Sequence, residues 1–161
     1  MRLTRYTDYA LRTLMFLGLA DGRLSSIRDI AERYGISENH LMKVVHRLGL
    51  LGYVETIRGR NGGLRLARPP GEIRLGDVVR QTEEDLALVE CFGPAIACRI
   101  TESCRLRGIL DEALSAFLAV LDRYTLQDLL RPRNLLAAQL GLAVAARKGM
   151  ARGAARANSG R

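Results

Sequence analysis

The sequence predicts a mainly α-helical fold with one small β-hairpin, followed by a single long helix. Three observations predict this fold. Amphipathic helical segments fill the first 50 residues, a short alternating pattern rich in Gly and Arg follows them, and one long apolar stripe dominates residues 106–124. Apolar residues make up 48% of the 161 residues, enough for the core of one soluble globular domain.

Three helices are predicted before residue 51. Apolar side chains recur at helical spacing over residues 4–20, and Asp-Gly at positions 21 and 22 ends that helix. A second helix over residues 26–34 begins at Ser26, where Asp29 completes a capping box, and Gly35 suits its end. Ser37 is expected to cap a third helix over residues 38–50, whose core-facing stripe consists of Leu41, Val44, Val45 and Leu48. The last two helices and their short connection match a helix-turn-helix.

A hairpin follows the third helix directly. Residues 53–57 and 64–67 alternate like strands, and the turn between them reads Arg58-Gly59-Arg60-Asn61-Gly62-Gly63, with Arg65 and Arg68 behind it. A hairpin in this place is a wing, so residues 1–80 are predicted to form a winged helix-turn-helix DNA-binding domain.

The outward positions of the third helix and the tip of the wing supply the candidate DNA contacts. Asn39, His40 and Lys43 are expected to meet base edges. Arg58 and Arg60 are expected to enter the minor groove or hold phosphate. Three weaker candidates for phosphate are Arg12, Arg28 and Arg47.

Charge is distributed unevenly along the chain. Residues 1–70 hold 12 Lys and Arg against 6 Asp and Glu, whereas residues 71–130 hold 6 against 11. A basic first half suits a polyanion such as double-stranded DNA. The sequence contains no apolar run long enough for a membrane span and no secretory signal pattern, so no membrane partner and a cytoplasmic location are expected. It also contains no phosphate loop and no catalytic triad or hydrolase metal spacing, so an enzyme is not expected.

All three cysteines, Cys91, Cys98 and Cys104, lie in an irregular stretch, and residues 81–105 are predicted to form a cluster-binding loop. Three thiolates in a reducing compartment suit an iron–sulfur cluster or zinc. Zinc sites usually close with four Cys or His ligands, which counts against zinc. A thiol switch through a reversible disulfide and an electron carrier are the other readings, and iron content distinguishes the cluster from the thiol switch.

The long helix is predicted to belong to a dimerisation region, residues 106–132, because the chain has few other elements to cover its wide apolar face. A second copy of the same helix would cover it in a two-fold homodimer. The remaining residues, 133–161, form a C-terminal extension with a last helix expected over 134–146 and a disordered basic tail after it.

Several of these features together resemble one known family. The opening MRLTRYTDYALR, the run Ile30-Ala31-Glu32-Arg33, the wing turn and the triple cysteine are similar to the winged-helix iron–sulfur transcriptional regulators that include IscR and NsrR. The resemblance covers residues 1–132 approximately, and its specificity comes from the combined order of the features.

The resemblance implies a cofactor, a ligand set and a signal. In the IscR-like branch a His follows the last Cys by three residues, but Arg107 stands there in this chain. The NsrR branch uses three cysteines and, in its [4Fe–4S] form, an Asp on the first helix of the other subunit, where this chain has Asp8. The resemblance therefore favours a [4Fe–4S] over a [2Fe–2S] cluster and implies a repressor that senses nitric oxide through cluster nitrosylation. A sensor of cluster supply and a thiol- or zinc-dependent repressor remain the alternatives.

Overall fold

The computed structural model describes residues 2–93 and 98–142. In these residues three helices are followed by one antiparallel hairpin and then by further helices. The elements in order are α1 (Arg5–Ala20), α2 (Ile27–Tyr34), α3 (Glu38–Leu50), β1 (Val54–Ile57), β2 (Gly63–Leu66), α4 (Leu75–Thr82), α5 (Arg105–Asp122), α6 (Leu126–Leu129) and α7 (Arg133–Gln139). Three single 3₁₀ turns lie at Pro70–Glu72, Glu90–Phe92 and Thr101–Ser103. The predicted mainly α-helical winged helix-turn-helix with a long helix after it is confirmed.

Local capping accounts for most of the helix ends in the first half. Asp21 and Gly35 end α1 and α2 in the left-handed conformation, with φ of 57° and 63°. Ser26 and Asp29 form the predicted capping box at the start of α2. Ser37 occupies the position before α3, but its side chain makes no capping hydrogen bond, unlike the prediction.

The core lies where α1 crosses the helix-turn-helix and the base of the wing. Its largest fully buried side chains come from α1, α2, α3 and α4 and from the segments around Ile73 and α6, and the wing adds Val54 and Leu64, which are nearly buried. They include Phe16, Leu14, Leu17, Ile30, Leu41, Leu48, Ile73 and Leu126. The apolar stripe predicted for α3 is buried, so the opposite face of that helix is presented outward.

The wing is a four-residue antiparallel pairing in which Val54 lies opposite Leu66 and Ile57 opposite Gly63. A further bridge joins Ser25, just before α2, to Leu64. The turn needs glycine at position 62, because a Cβ there would collide with the Ile57 carbonyl oxygen. The wing is therefore fixed to the helix-turn-helix at its base, while its tip projects away.

The long helix α5 is joined to the DNA-binding domain through α4. Arg80 of α4 donates to both carboxylate oxygens of Asp122 at 2.6 and 2.7 Å. This pair lowers the pKa of the Asp122 carboxyl. Within the described chain no residue of α5 is buried, and Leu106 and Ile109 remain 60% and 57% exposed. An apolar face of α5 thus stays uncovered in the single chain.

The C-terminal helix α7 docks on the far end of α1. Arg133 donates to the carbonyl oxygens of Gly18 and Leu19 at 3.1 and 3.0 Å, and Ala137 is buried. The predicted helix over 134–146 is wrong over residues 140–142, because α7 ends at Gln139 and the chain turns at Gly141 with φ of 61°. Residues 143–146 and the predicted basic tail after them, residues 147–161, lie outside the described residues. None of the helices that the structure describes is long and apolar enough to cross a membrane.

Candidate DNA-binding surface and cysteine segment

The outward face of α3 carries the three side chains predicted to meet bases. Asn39, His40 and Lys43 are all exposed, and they lie opposite the buried stripe of the same helix. The structure therefore places them together on a face that a DNA groove could receive, as in other helix-turn-helix proteins. Their contacts with particular bases stay predictions.

The start of α1 contacts α3 through two tyrosines. The Tyr6 hydroxyl donates to the Lys43 carbonyl oxygen at 3.3 Å, and the rings of Tyr9 and His40 lie 6.4 Å apart. Partial burial raises the pKa of Tyr6, and the nearby positive charge of Arg47 opposes this increase. Sequence reasoning did not single out these two tyrosines, because their helical spacing is equally typical of core positions.

The arginines of the wing divide into two kinds. Arg58 and Arg60 are exposed at the tip, and neither is paired with any residue that the structure describes. Arg65 instead donates to Glu55 on the neighbouring strand at 2.8 Å. Arg68 lies over the Tyr53 ring, 4.7 Å from its centroid, and donates to two main-chain carbonyls. Only the two tip residues keep their cationic groups available to a phosphate.

The three weaker phosphate candidates also differ from one another. Arg12 on α1 pairs with Asp8 at 2.9 Å. Arg28 on α2 donates to Glu32 at 2.8 Å, and this hydrogen bond raises its pKa. Both side chains are mostly exposed, so a phosphate would compete with a weak surface ion pair. Arg47 is exposed near the end of α3, on the side that faces Tyr6.

The cysteines lie in the segment that joins α4 to α5. Cys91 is half-buried in the 3₁₀ turn Glu90–Phe92, and Cys98 is exposed. Cys104 is half-buried at the position immediately before α5. It lines a cleft of about 500 Å³ together with Phe92 and Arg107, the residue that stands where the family's IscR-like branch has a His.

The chemistry of this donor set fits an iron–sulfur cluster, since three thiols are the soft ligands that such clusters require. Across residues 2–93 and 98–142 of the single chain, no three Cys, His, Asp or Glu side chains converge on a metal-sized site. Asp8 is half-exposed on the first turn of α1, where its carboxylate pairs with Arg12 at 2.9 Å. The thiols are thus near one another in sequence, and Asp8 lies on the surface of the same chain.

A hydrogen-bonded contact links the beginning of the cysteine segment to α1. Glu83, which follows α4, accepts from the Thr4 main-chain N–H at 2.8 Å and from its hydroxyl at 3.1 Å. Thr4 also caps α1, because its hydroxyl accepts from the Thr7 N–H. A movement of the chain at Glu83 would therefore displace the start of α1. This is also the end of α1 that contacts α3.

The comparisons with known proteins agree with this architecture. The sequence matches the Rrf2 family, described as iron-dependent transcriptional regulators, over residues 3–132. It is 59% identical over 138 residues to the HTH-type transcriptional regulator NsrR of Geobacillus kaustophilus, which covers 84% of this chain and 94% of that protein. The regulator of the same name from Bacillus subtilis is 58% identical over 136 residues, covering 83% of this chain and 93% of that protein.

Solved structures show the same fold. IscR of T. potens is 28% identical and superposes with a TM-score of 0.65, covering 83% of this chain and 88% of its own. CymR, the global cysteine regulator of B. subtilis, is also 28% identical with a TM-score of 0.65, covering 80% and 95%. The relatives are named as transcriptional regulators, so this protein binds DNA to regulate transcription and is not an enzyme. The family match covers most of the chain, and the winged helix-turn-helix with a long helix after it agrees with that match. This protein therefore belongs to the Rrf2 family of iron-dependent transcriptional regulators.

Proposed function

We propose that this protein is a homodimeric transcriptional repressor that holds a [4Fe–4S] cluster and releases its operator DNA in response to nitric oxide. The observation that carries the proposal is the cysteine segment, in which Cys91 and Cys104 are half-buried and the chain leads directly into α5. The high identity to regulators named NsrR supports the assignment to that branch of the family.

The proposed ligands are Cys91, Cys98 and Cys104 of one chain and Asp8 of the partner subunit. The three thiolates would hold the cluster firmly, whereas a carboxylate oxygen is a hard and more easily displaced ligand for iron. A bound cluster would supply iron that reacts with nitric oxide. Asp8 is suited to contribute from the surface, because its only ion pair in the described chain is with Arg12, and both side chains are close to half-exposed.

The chain itself offers a route from the cysteine segment to the DNA-reading helix. Glu83 holds Thr4 at the start of α1, and two residues later Tyr6 holds the main chain of α3 at Lys43. A rearrangement of residues after α4 would act on α3 through these two contacts. The two contacts consist of three hydrogen bonds at or near the surface, each of which contributes only about 1 kcal/mol, so they can be broken and remade.

Dimerisation gives such a rearrangement its effect on DNA binding. Two recognition helices read half-sites that lie about 34–36 Å apart, one turn of DNA. The exposed apolar side chains of α5, which include Leu106, Ile109 and Val120, suit a surface that packs against a second copy. A small change in the angle between subunits would prevent both α3 helices from binding at once.

The test is an iron and sulfide count on protein purified without oxygen, followed by nitric oxide titration with absorbance and DNA binding measured together. We expect about four irons and four sulfides per chain, the number that the [4Fe–4S] assignment requires, and loss of operator binding in step with bleaching. Cys104→Ser should lose the cluster, whereas the neighbouring Ser103→Ala should retain it.

Other outcomes would overturn the proposal in identifiable ways. Two irons per chain with DNA binding indifferent to nitric oxide would assign the protein to cluster-supply sensing. Bound zinc, or no metal together with a reversible disulfide that controls DNA binding, would assign it to the zinc or thiol alternatives.

A further inference from the structure

A cleft of about 260 Å³ lies between the start of α1 and the DNA-reading face of α3. The residues that line it are Arg5, Tyr6, Tyr9, His40, Lys43 and Val44. Its walls are held in place by the Tyr6 hydroxyl on the Lys43 carbonyl oxygen and by the neighbouring rings of Tyr9 and His40. The cleft is therefore built from two helices that pack directly on each other.

The charge at the rim of this cleft is positive. Arg5 and Lys43 are exposed, and neither side chain has an ion-pair partner among the residues that the structure describes. A third cation, Arg47, acts on Tyr6 from the end of α3. None of the lining residues is acidic, so the electrostatic potential at the rim favours an anion.

We propose that Arg5, Tyr6 and Tyr9 form a further DNA contact, in which this cleft receives the sugar–phosphate backbone at the edge of the groove that α3 reads. The lining is largely apolar, which suits the C–H faces of a deoxyribose, and the cationic rim suits its phosphate. The cleft is continuous with His40 and Lys43, so a groove that receives α3 brings one backbone strand against it. The proposal rests on DNA binding and is independent of the cluster.

A charge-matched pair of variants tests the proposal. Arg5→Ala removes one of the two rim cations, and Arg123→Ala removes the same charge from an exposed position just after α5. Binding is measured by fluorescence anisotropy as a function of salt, with anaerobically purified protein. The probes are a genomic duplex selected by the wild type and a random-sequence duplex of equal length.

The binding constant falls as salt rises, and loss of one phosphate contact makes the slope of log K against log salt shallower by about 0.9. A dimer that loses two such contacts should therefore have a slope that is shallower by about 2. We expect that decrease for Arg5→Ala on both duplexes, because a phosphate contact does not depend on base sequence. Arg123→Ala should retain the wild-type slope. An unchanged slope for Arg5→Ala, or an equal decrease for both variants, would overturn the proposal.

Chemical substitution of the DNA locates the contact. Single uncharged methylphosphonates are placed in turn along the flank of the selected duplex. One position should weaken wild-type binding but have no further effect on Arg5→Ala, because both changes remove the same ion pair. If the two effects add at every position, Arg5 does not contact the backbone.

Discussion

Replacing Ile109 with Glu tests whether a second copy of the chain covers α5. Ile109 is 57% exposed in the single chain, with Leu106 one turn away at 60%. Full burial of such a side chain contributes about 1.5–3 kcal/mol, so covering the exposed half of Ile109 contributes about 1–1.5 kcal/mol per subunit. Two-fold symmetry doubles this contribution, because each subunit buries its own Ile109. Since about 1.4 kcal/mol corresponds to a tenfold change in a dissociation constant, Ile109→Glu should raise the dimer dissociation constant at least about 30-fold.

The assay is sedimentation velocity over a range of protein concentrations, with operator binding measured in parallel. Ser115→Glu is the matched control, because it places the same charge at an exposed position of α5 outside the apolar stripe. Both variants should still give a cooperative melting transition, which shows that each chain is folded. An Ile109→Glu protein that dimerises as tightly as the wild type would refute the reasoning, because this face would then not be the interface.

Two further predictions concern the stability of the DNA-binding domain. Arg133→Ala should lower the free energy of unfolding by about 1–2 kcal/mol in urea denaturation, because it removes charged donors to the last carbonyls of α1. The neighbouring exposed Arg131→Ala should have little effect, and equal losses would contradict the docking of α7. Hydrogen bonds from Ser26 lower the pKa of Asp29. The carboxylate therefore stabilises α2 in full at pH values above about 4, the ordinary pKa of a carboxyl group. This stabilisation is lost as the pH falls through the lowered pKa of Asp29. Asp29→Asn should therefore be less stable than wild type at pH 7 and equally stable near pH 2; a difference that persists unchanged in acid would contradict this.

Local patterns were sufficient for the helices of the first half and for the wing. The apolar spacing of α3 predicted which side would be buried, and the Ser26–Asp29 capping box needs only residues three apart. Such features depend on neighbours in sequence, which is why they can be predicted without the fold. Ser37 was less predictable, because a capping hydrogen bond depends on a side-chain rotamer that the sequence does not specify.

The wing shows how tertiary contacts assign roles to equivalent residues. The sequence places Arg58 and Arg60 at the tip of the hairpin with Arg65 and Arg68 behind it, but it does not identify the partners of the last two. In the structure, cross-strand pairing directs Arg65 to Glu55, and the fold brings Arg68 over the Tyr53 ring. The two that remain available are those at the tip, Arg58 and Arg60, which pair with no residue in the described part of the chain.

By itself, the sequence determined the helices, the wing, the cysteine segment and the family, because these depend on periodicity, short-range capping and the order of motifs. Only the tertiary structure decided that α1 meets α3 in a cationic cleft and that Glu83 holds Thr4. Residues 79 positions apart cannot be paired from local pattern, since their contact exists only after the core has brought α1, α3 and α4 together.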